Sequence, residues 1–590
     1  TNIKGALLPT KSNTNSSTPN INNPYLTLGI VYQENNSNSR VNVKGKILSY
    51  NNLNIGSEAK AVNDLGLAIK KGTNLTANDA YIKAVIGIIN QNAKAEVNVG
   101  ENSTTNTDNS TQANSELASN SDATNNLLQA AGKLNITSDT QTKINSVVGV
   151  QADLDSMLNT AVNIIGGDVS SKVNINDAIQ GGNVNVTANH LSNGLQITTN
   201  NAFAETDGDF VNINNTGAKT NAISNNIKKV KNFVQGFINK KNNSNNTSNA
   251  WDQYFDLGAS ITIDDITNNV EVNVSPDADI EATGVNGSDN APALNINAAI
   301  KIADKQIKTT SILGNKKATS ALGVGAAVVI DNLTNNANVN ITSDTEKPQL
   351  ISEAGDVVIA SKIDDSYTRF DNMSFTQKIN PANYPNVHVY SGVVKDIGDV
   401  VVATGTVGIQ NINNNSNVNI GAGAVISANN KVDISATSIV GNALGAGKVG
   451  LPSDYNSNGI GGSVGVQNTN TNSKVTIAND AQITGGQIDI NANNDVKNVG
   501  VVISGTKTSS LGITGMVSYM GGTSNAEVAV DDDADLTATK EVTKNQETDV
   551  VTKAGQININ SENDTTLTNV VGDVTSSGGI GLGASVGVIS

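Results

Sequence analysis

The chain has 590 residues, a formal charge of −16, no cysteine and only 9 prolines, and asparagine is about one residue in six. An acidic chain whose only arginines are Arg40 and Arg369 offers few donors for phosphate, so no nucleic acid is expected as a partner. Without cysteine there are no disulfides, thiolate metal sites or thiol nucleophiles. At 15% charged and 37% hydrophobic residues the composition argues against wholesale disorder. The longest apolar run, ALGVGAAVVI (321–330), is half of what a membrane-spanning helix needs.

Residues 1–25 read as a linker or as the continuation of preceding coils, with no signal peptide legible in TNIKGALLPTKSNTN. The whole reads as a piece of a longer chain. From residue 26 onward an apolar triplet, small or apolar in the middle, recurs: Leu28-Gly29-Ile30, Ile86-Gly87-Ile88, Val148-Gly149-Val150, Ile261-Thr262-Ile263 and Val328-Val329-Ile330. Val407-Gly408-Ile409, Val464-Gly465-Val466, Val517-Ser518-Tyr519 and Val586-Gly587-Val588 follow, at steps of 58, 62, 113, 67, 79, 57, 53 and 69 residues. After each anchor comes a strand-like segment: ITIDDITNNVEVNV (261–274), VVIDNLTNNANVNI (328–341), VGIQNINNNSNVNI (407–420) and VGVQNTNTNSKVTI (464–477), aligned with a one-residue gap in the second. Period-two alternation with Asn-Asn, Asn-Gly and Gly-Gly between runs is the pattern of short strands and tight turns.

These features predict an all-β chain: a right-handed parallel β-helix (β-solenoid) of about eight degenerate repeats over 26–590, each repeat two or three coils. Val, Ile, Ala and Gly are expected inside a narrow core, and asparagines stacked at turns are expected to form amide ladders. A series of small antiparallel sandwiches is the alternative. The apolar last anchor, Val586-Gly587-Val588, is expected to be followed by further coils.

Three insertions interrupt the pattern, near 101–130, 201–256 and 364–390. In the second, Ile223, Ile227, Val230, Val234, Phe237 and Ile238 fall at helical spacing among lysines, an amphipathic helix packed on the solenoid flank or facing a membrane surface. The second and third insertions hold 12 of the 18 aromatic residues. Trp251, Tyr254, Phe255, Tyr367, Phe370, Phe375, Tyr384 and Tyr390 are therefore the candidate contact residues, aromatics on loops being common anchors for protein or sugar. The alternative is that they build small cores of their own.

No catalytic motif is legible: there is no GxSxG, HExxH, P-loop or EF-hand loop. His190 and His388 are read as surface or turn residues, not ligands. Asp531, Asp533 and Asp535 in VDDDADLTA present oxygens that could hold calcium, but a solvated turn is the better reading, and no metal or cofactor is expected. A polysaccharide lyase or hydrolase would need a cleft with paired carboxylates or a basic residue.

The pieces GIGGSVGVQNTNTNSKVTI, ALGVGAAVVIDNLTNNANVNI and GGIGLGASVGVIS resemble the repeats of large secreted exoproteins, the filamentous-haemagglutinin-like adhesins and the leukotoxin-type exoproteins of fusobacteria. The resemblance implies a fibrous β-helical shaft on the bacterial outer surface or outside the cell, exported through an outer-membrane translocator by two-partner secretion. It carries over no functional residue. The expected role is adhesion to a protein or glycan on host or neighbouring cells, with a shaft segment of a secreted cytotoxin as the alternative and a carbohydrate-active β-helix enzyme behind both.

Overall fold

A computed structural model describes residues 2–9, 26–69, 82–100, 127–151, 158–203, 255–287, 291–313, 322–343, 347–366, 386–393, 401–447, 453–454, 458–539, 541–545 and 548–590. All regular structure in them is β-strand, and nearly all pairing is parallel. One sheet stacks nine parallel strands in chain order: Leu26–Val43, Ile82–Val99, Leu158–Ile175, Phe255–Val274, Leu322–Ile341, Val401–Ile420, Asn458–Ile477, Leu511–Val530 and Ile580–Ile589. Asn2–Pro9 adds antiparallel to the first of them. Between successive rungs the chain crosses to a second parallel ladder, where one strand of a coil is matched by two or three shorter ones in the next. Ile179–Phe203, for example, pairs with Asp279–Ala282, Leu294–Ile302 and Lys305–Leu313. The fold is a parallel β-solenoid of two facing ladders.

Each repeat is one wide coil, not two or three narrow ones. Val407 pairs directly with Val464, and Val464 with Val517, so one repeat step is one hydrogen-bonded rung. Strands of 17–25 residues make the coil broad. The last five steps hold: rungs are offset by 67, 79, 57, 53 and 69 residues. The first three become 56, 76 and 99. Ile86-Gly87-Ile88 pairs with Ile30-Val31-Tyr32 on one side and Val162-Asn163-Ile164 on the other. Val148-Gly149-Val150 belongs to the second ladder, in Leu128–Gln151, and the polar centre of Val162-Asn163-Ile164 hides the true rung from an apolar search. Residues 261–274 and 328–341 pair without a gap.

Strand alternation places one residue set inside, and along each first-sheet rung that set changes character. At the C-terminal end two aliphatic columns point inward. One is Val41, Val97, Val173, Val272, Val339, Val418, Val475 and Val528; the other starts at Val43 and Val99 and ends at Ile477 and Val530. They pack on second-ladder residues such as Leu134, Ile136, Ile296, Ile359 and Ile434 in the main core. Burying each such side chain contributes about 1.5–3 kcal/mol. Toward the N-terminal end the inward set is mixed: Val31, Val85, Ile89, Ile165 and Val329 build a second core cluster, and buried polar residues such as Gln91, Asp331 and Gln410 interrupt the expected interior of Val, Ile, Ala and Gly.

The first-sheet anchor triplets sit in this second region and face opposite to a core reading. Their middle residue points in and the flanking Val and Ile point out, whereas Val148 and Val150, on the second ladder, are themselves buried in the core. Glycine in the middle follows from a close approach of the sheets. A Cβ on Gly465 would stand 2.4 Å from Val502 Cγ2, and one on Gly87 2.4 Å from Val148 Cγ2. The turn after the aliphatic columns repeats as well: Gly423, Asp480 and Asp533 all have positive φ, three residues past the rung end. The next residue, Ala424, Ala481 or Ala534, donates its N–H back to close the turn. Gly, Asp and Asn are the residues that tolerate this conformation.

Amide ladders run from rung to rung up the axis, and these are carried by strand positions, not turns, among the described residues. Asn98 donates to Asn42, Asn174 to Asn98, Asn273 to Asn174, Asn340 to Asn273 and Asn419 to Asn340, at 2.6–2.9 Å. Parallel in-register stacking places identical amides one strand spacing apart, the geometry such ladders require.

Candidate functional site

The outer face of the first sheet divides into two bands. Its apolar band is carried by the anchors' outward residues in two columns. Ile30, Ile86, Val162, Ile261, Val328, Val407, Val464, Val517 and Val586 form one, and two residues on, Tyr32, Ile88, Ile164, Ile263, Ile330, Ile409, Val466, Tyr519 and Val588 form the other. Ile86, Ile88, Val162 and Ile164 pack into a buried cluster, whereas Val517 is 46% exposed. The polar band on the C-terminal half carries the asparagine ladders and a column of alternating charge. In that column Arg40 meets Glu96 at 2.5 Å, Lys172 meets Glu271 at 3.0 Å and Lys474 meets Glu527 at 3.1 Å. Such exposed pairs contribute little stability, but they fix register against slippage.

Inside the solenoid lies a polar cluster that no motif announced. Asp264 and Asp331 occupy the same inward column on adjacent first-sheet rungs. Lys305 and Asp365 reach the same interior from the second ladder, and all four are fully buried. Lys305 Nζ stands 2.5 Å from both carboxylate oxygens of Asp331. Gln410, one rung further, donates to Asp331 Oδ2 at 2.9 Å and accepts from Gln467 at 2.9 Å. Neither oxygen of Asp264 or of Asp365 has a hydrogen-bond partner among the described residues.

Charge balance explains the protonation of the cluster. Burial pulls the Lys305 pKa down, but the charges of Asp331, Asp264 and Asp365 outweigh it and leave it raised. One cation balances one carboxylate, so the other two acids stay neutral. Burial, with the neighbouring Asp331, pushes Asp264 well above the carboxylate range. Burial likewise pushes Asp365 up to about 8, against the opposing pull of Lys305. Beside Lys305 is an internal cavity of about 20 Å³ lined in part by His190, Asn268, Ile302 and Leu333.

His190 is neither a surface nor a turn residue. It is buried in the strand Ile179–Phe203, its Nδ1 is 3.1 Å from Thr140 Oγ1, and burial pulls its pKa down to about 4. His388 is half-buried in the strand Val387–Val393, and burial and Lys308 pull it to about 4. Asp531, Asp532 and Asp533 form an exposed turn in which Asp533 has positive φ, and Asp535 opens the next strand. Among the described residues no group of three or more His, Asp or Glu side chains is placed to hold a metal ion.

Of the expected aromatic contacts, Trp251, Tyr254, Tyr367, Phe370, Phe375 and Tyr384 lie outside the described residues, as does the amphipathic stretch 223–238. Phe255 opens a first-sheet rung. Tyr390 lies in a strand, half-buried, pairing in register with Thr310. The insertion edges also retract, because Leu128–Ala130, Asn201–Phe203 and Val387–Tyr390 belong to strands. The buried cluster did leave one trace in the sequence. Asp264, Asp331, Gln410 and Gln467 each follow an anchor triplet directly, a polar residue at one inward position in four successive repeats.

No family model, no curated protein and no solved structure matches this chain.

Proposed function

We propose that the chain is a segment of a bacterial surface-exposed or secreted β-helical exoprotein acting in adhesion to host or neighbouring cells. The coils serve as a rigid shaft and the aromatic-bearing insertions as contact sites for a surface protein or glycan. The observation that carries this reading is the unbroken register of nine first-sheet rungs. At one strand spacing per rung they span about 40 Å of continuously paired backbone. Amide and charge columns hold each rung over the last, so the rod resists bending and slippage. Export through an outer-membrane translocator fits a cysteine-free chain whose coils can fold one on another after passage.

Flow cytometry of the labelled segment with epithelial cells and leukocytes, scoring binding and membrane integrity together, tests the reading. Saturable binding to intact cells, lost when 204–254 or 367–385 is deleted, is expected; those boundaries leave every described strand whole. Permeabilised leukocytes would favour a cytotoxin shaft instead. Absence of binding would contradict adhesion by this segment.

A further inference from the structure

We propose that Lys305 and Asp331 are joined by an intramolecular isopeptide bond, formed by the folded protein itself. The two side chains are fully buried and stand 2.5 Å apart, an amine held against a carboxyl group with water excluded. Two further buried acids, Asp264 and Asp365, face the pair and have no hydrogen-bond partner among the described residues. A plain ion pair requires one carboxylate and no spare acids. Condensation requires an amine, a carboxyl group and an acid to protonate the departing oxygen, and this interior holds all three.

The chemistry balances without an oxidant or activating reagent. For condensation the proton passes within the contact from Lys305 Nζ to Asp331, giving the neutral amine and neutral acid from which an amide can form. Nζ adds to Asp331 Cγ and forms the C–N bond. Asp264, the register neighbour of Asp331, gives its proton to the departing oxygen; the C–O bond breaks and one water leaves. The surplus N–H proton returns to the Asp264 carboxylate, leaving an amide, a water and Asp264 as it began. Fixed orientation supplies the effective concentration that makes such a step feasible between weak partners. The 20 Å³ cavity beside Lys305 has the volume one water needs, with His190 Nε2 and Asn268 Oδ1 as unpartnered polar atoms on lining residues.

Such a bond would tie the second ladder of one coil to the first sheet of the next, directly through the core. The load on a shaft pulled along its axis would then not rest on hydrogen bonds alone at this coil.

The intact mass of the folded, purified chain decides it. The expected mass is one water below that of the sequence, with a branched peptide joining the Lys305 and Asp331 segments after digestion. Full sequence mass with two linear peptides would overturn the proposal. Lys305→Arg keeps the cation and cannot condense in this way, so it should recover the lost water; if it does not, the loss arises elsewhere and the proposal falls. Should that variant fail to fold, the branched peptide of the unsubstituted chain decides alone. Asp264→Asn, checked for β-structure by circular dichroism, should lack the branched peptide; its persistence would remove Asp264 from the mechanism.

Discussion

At the residue scale, buried titratable groups give this solenoid an unusual pH response. His190 and His388 stay neutral in the fold down to about 4, whereas in the unfolded chain they take up protons below 6.5. Between those values the unfolded state binds more protons, so stability from the histidines rises with pH. Asp365 keeps its proton up to about 8 in the fold but releases it near 3.8 when unfolded, and Asp264 is shifted in the same direction. Their contribution is complete at low pH and is lost as pH rises. The two effects oppose each other from about 4 to 6.5; above 6.5 only the acids act, and stability should fall toward pH 8. Urea midpoints across that range should show the decline, by up to about 1.4 kcal/mol per pH unit for each uncompensated proton. Asp365→Asn should flatten it, and an unchanged slope would contradict the assignment. A second residue-scale prediction concerns Asn335, which donates to Asn414 and accepts from Asn268 inside the core. Asn335→Ala leaves both partners unsatisfied and should cost about 1–3 kcal/mol in chemical denaturation. Apart from the polar residue that follows four successive anchor triplets, neither feature stands out in the sequence. Lys305 in KIADKQIK looks like any solvated lysine, because burial depends on a partner reached across the coil.

At the element scale, the anchor triplet shows what periodicity can and cannot reveal. Alternation identifies a strand, but it does not say which parity faces in when both faces carry aliphatic residues. Over the N-terminal half of each rung both do: Val464 and Val466 outside, and second-ladder residues such as Val502 filling the inside above Gly465. The aliphatic columns at the other end, by contrast, alternate with asparagine and read correctly. The structure therefore reverses the obvious mutational expectation. Gly465→Val drives a side chain into Val502 and should destabilise by about 1–3 kcal/mol. Val464→Asp, on the outer face, should cost less than Gly465→Val. Thermal melts of the two variants check this; a larger loss for Val464→Asp would place the triplet the other way round.

At the scale of the whole molecule, solenoid architecture was legible because neighbouring coils repeat each other's pattern. The true coil width was not. A step of 53–79 residues fits two or three narrow coils as well as one broad one, and only hydrogen-bonded register separates the two. The third anchor slipped onto the second ladder for a related reason, since both ladders run parallel and carry similar apolar pieces. Register is also what the shaft rests on, so its direct measurement is the sharpest test. The chain has no cysteine, which allows pairs to be introduced without background. Asn413 and Asn470 are register neighbours on the outer face, linked side chain to side chain at 2.9 Å, and Thr523 follows one rung further. Adjacent rungs lie about 4.8 Å apart, within the Cα range of a disulfide, and alternate rungs fall outside it. Mild oxidation of the Asn413→Cys/Asn470→Cys variant should consume both thiols within the monomer, while Asn413→Cys/Thr523→Cys keeps its thiols free. Bonding of the second pair, or failure of the first, would contradict a solenoid in which one repeat is one coil.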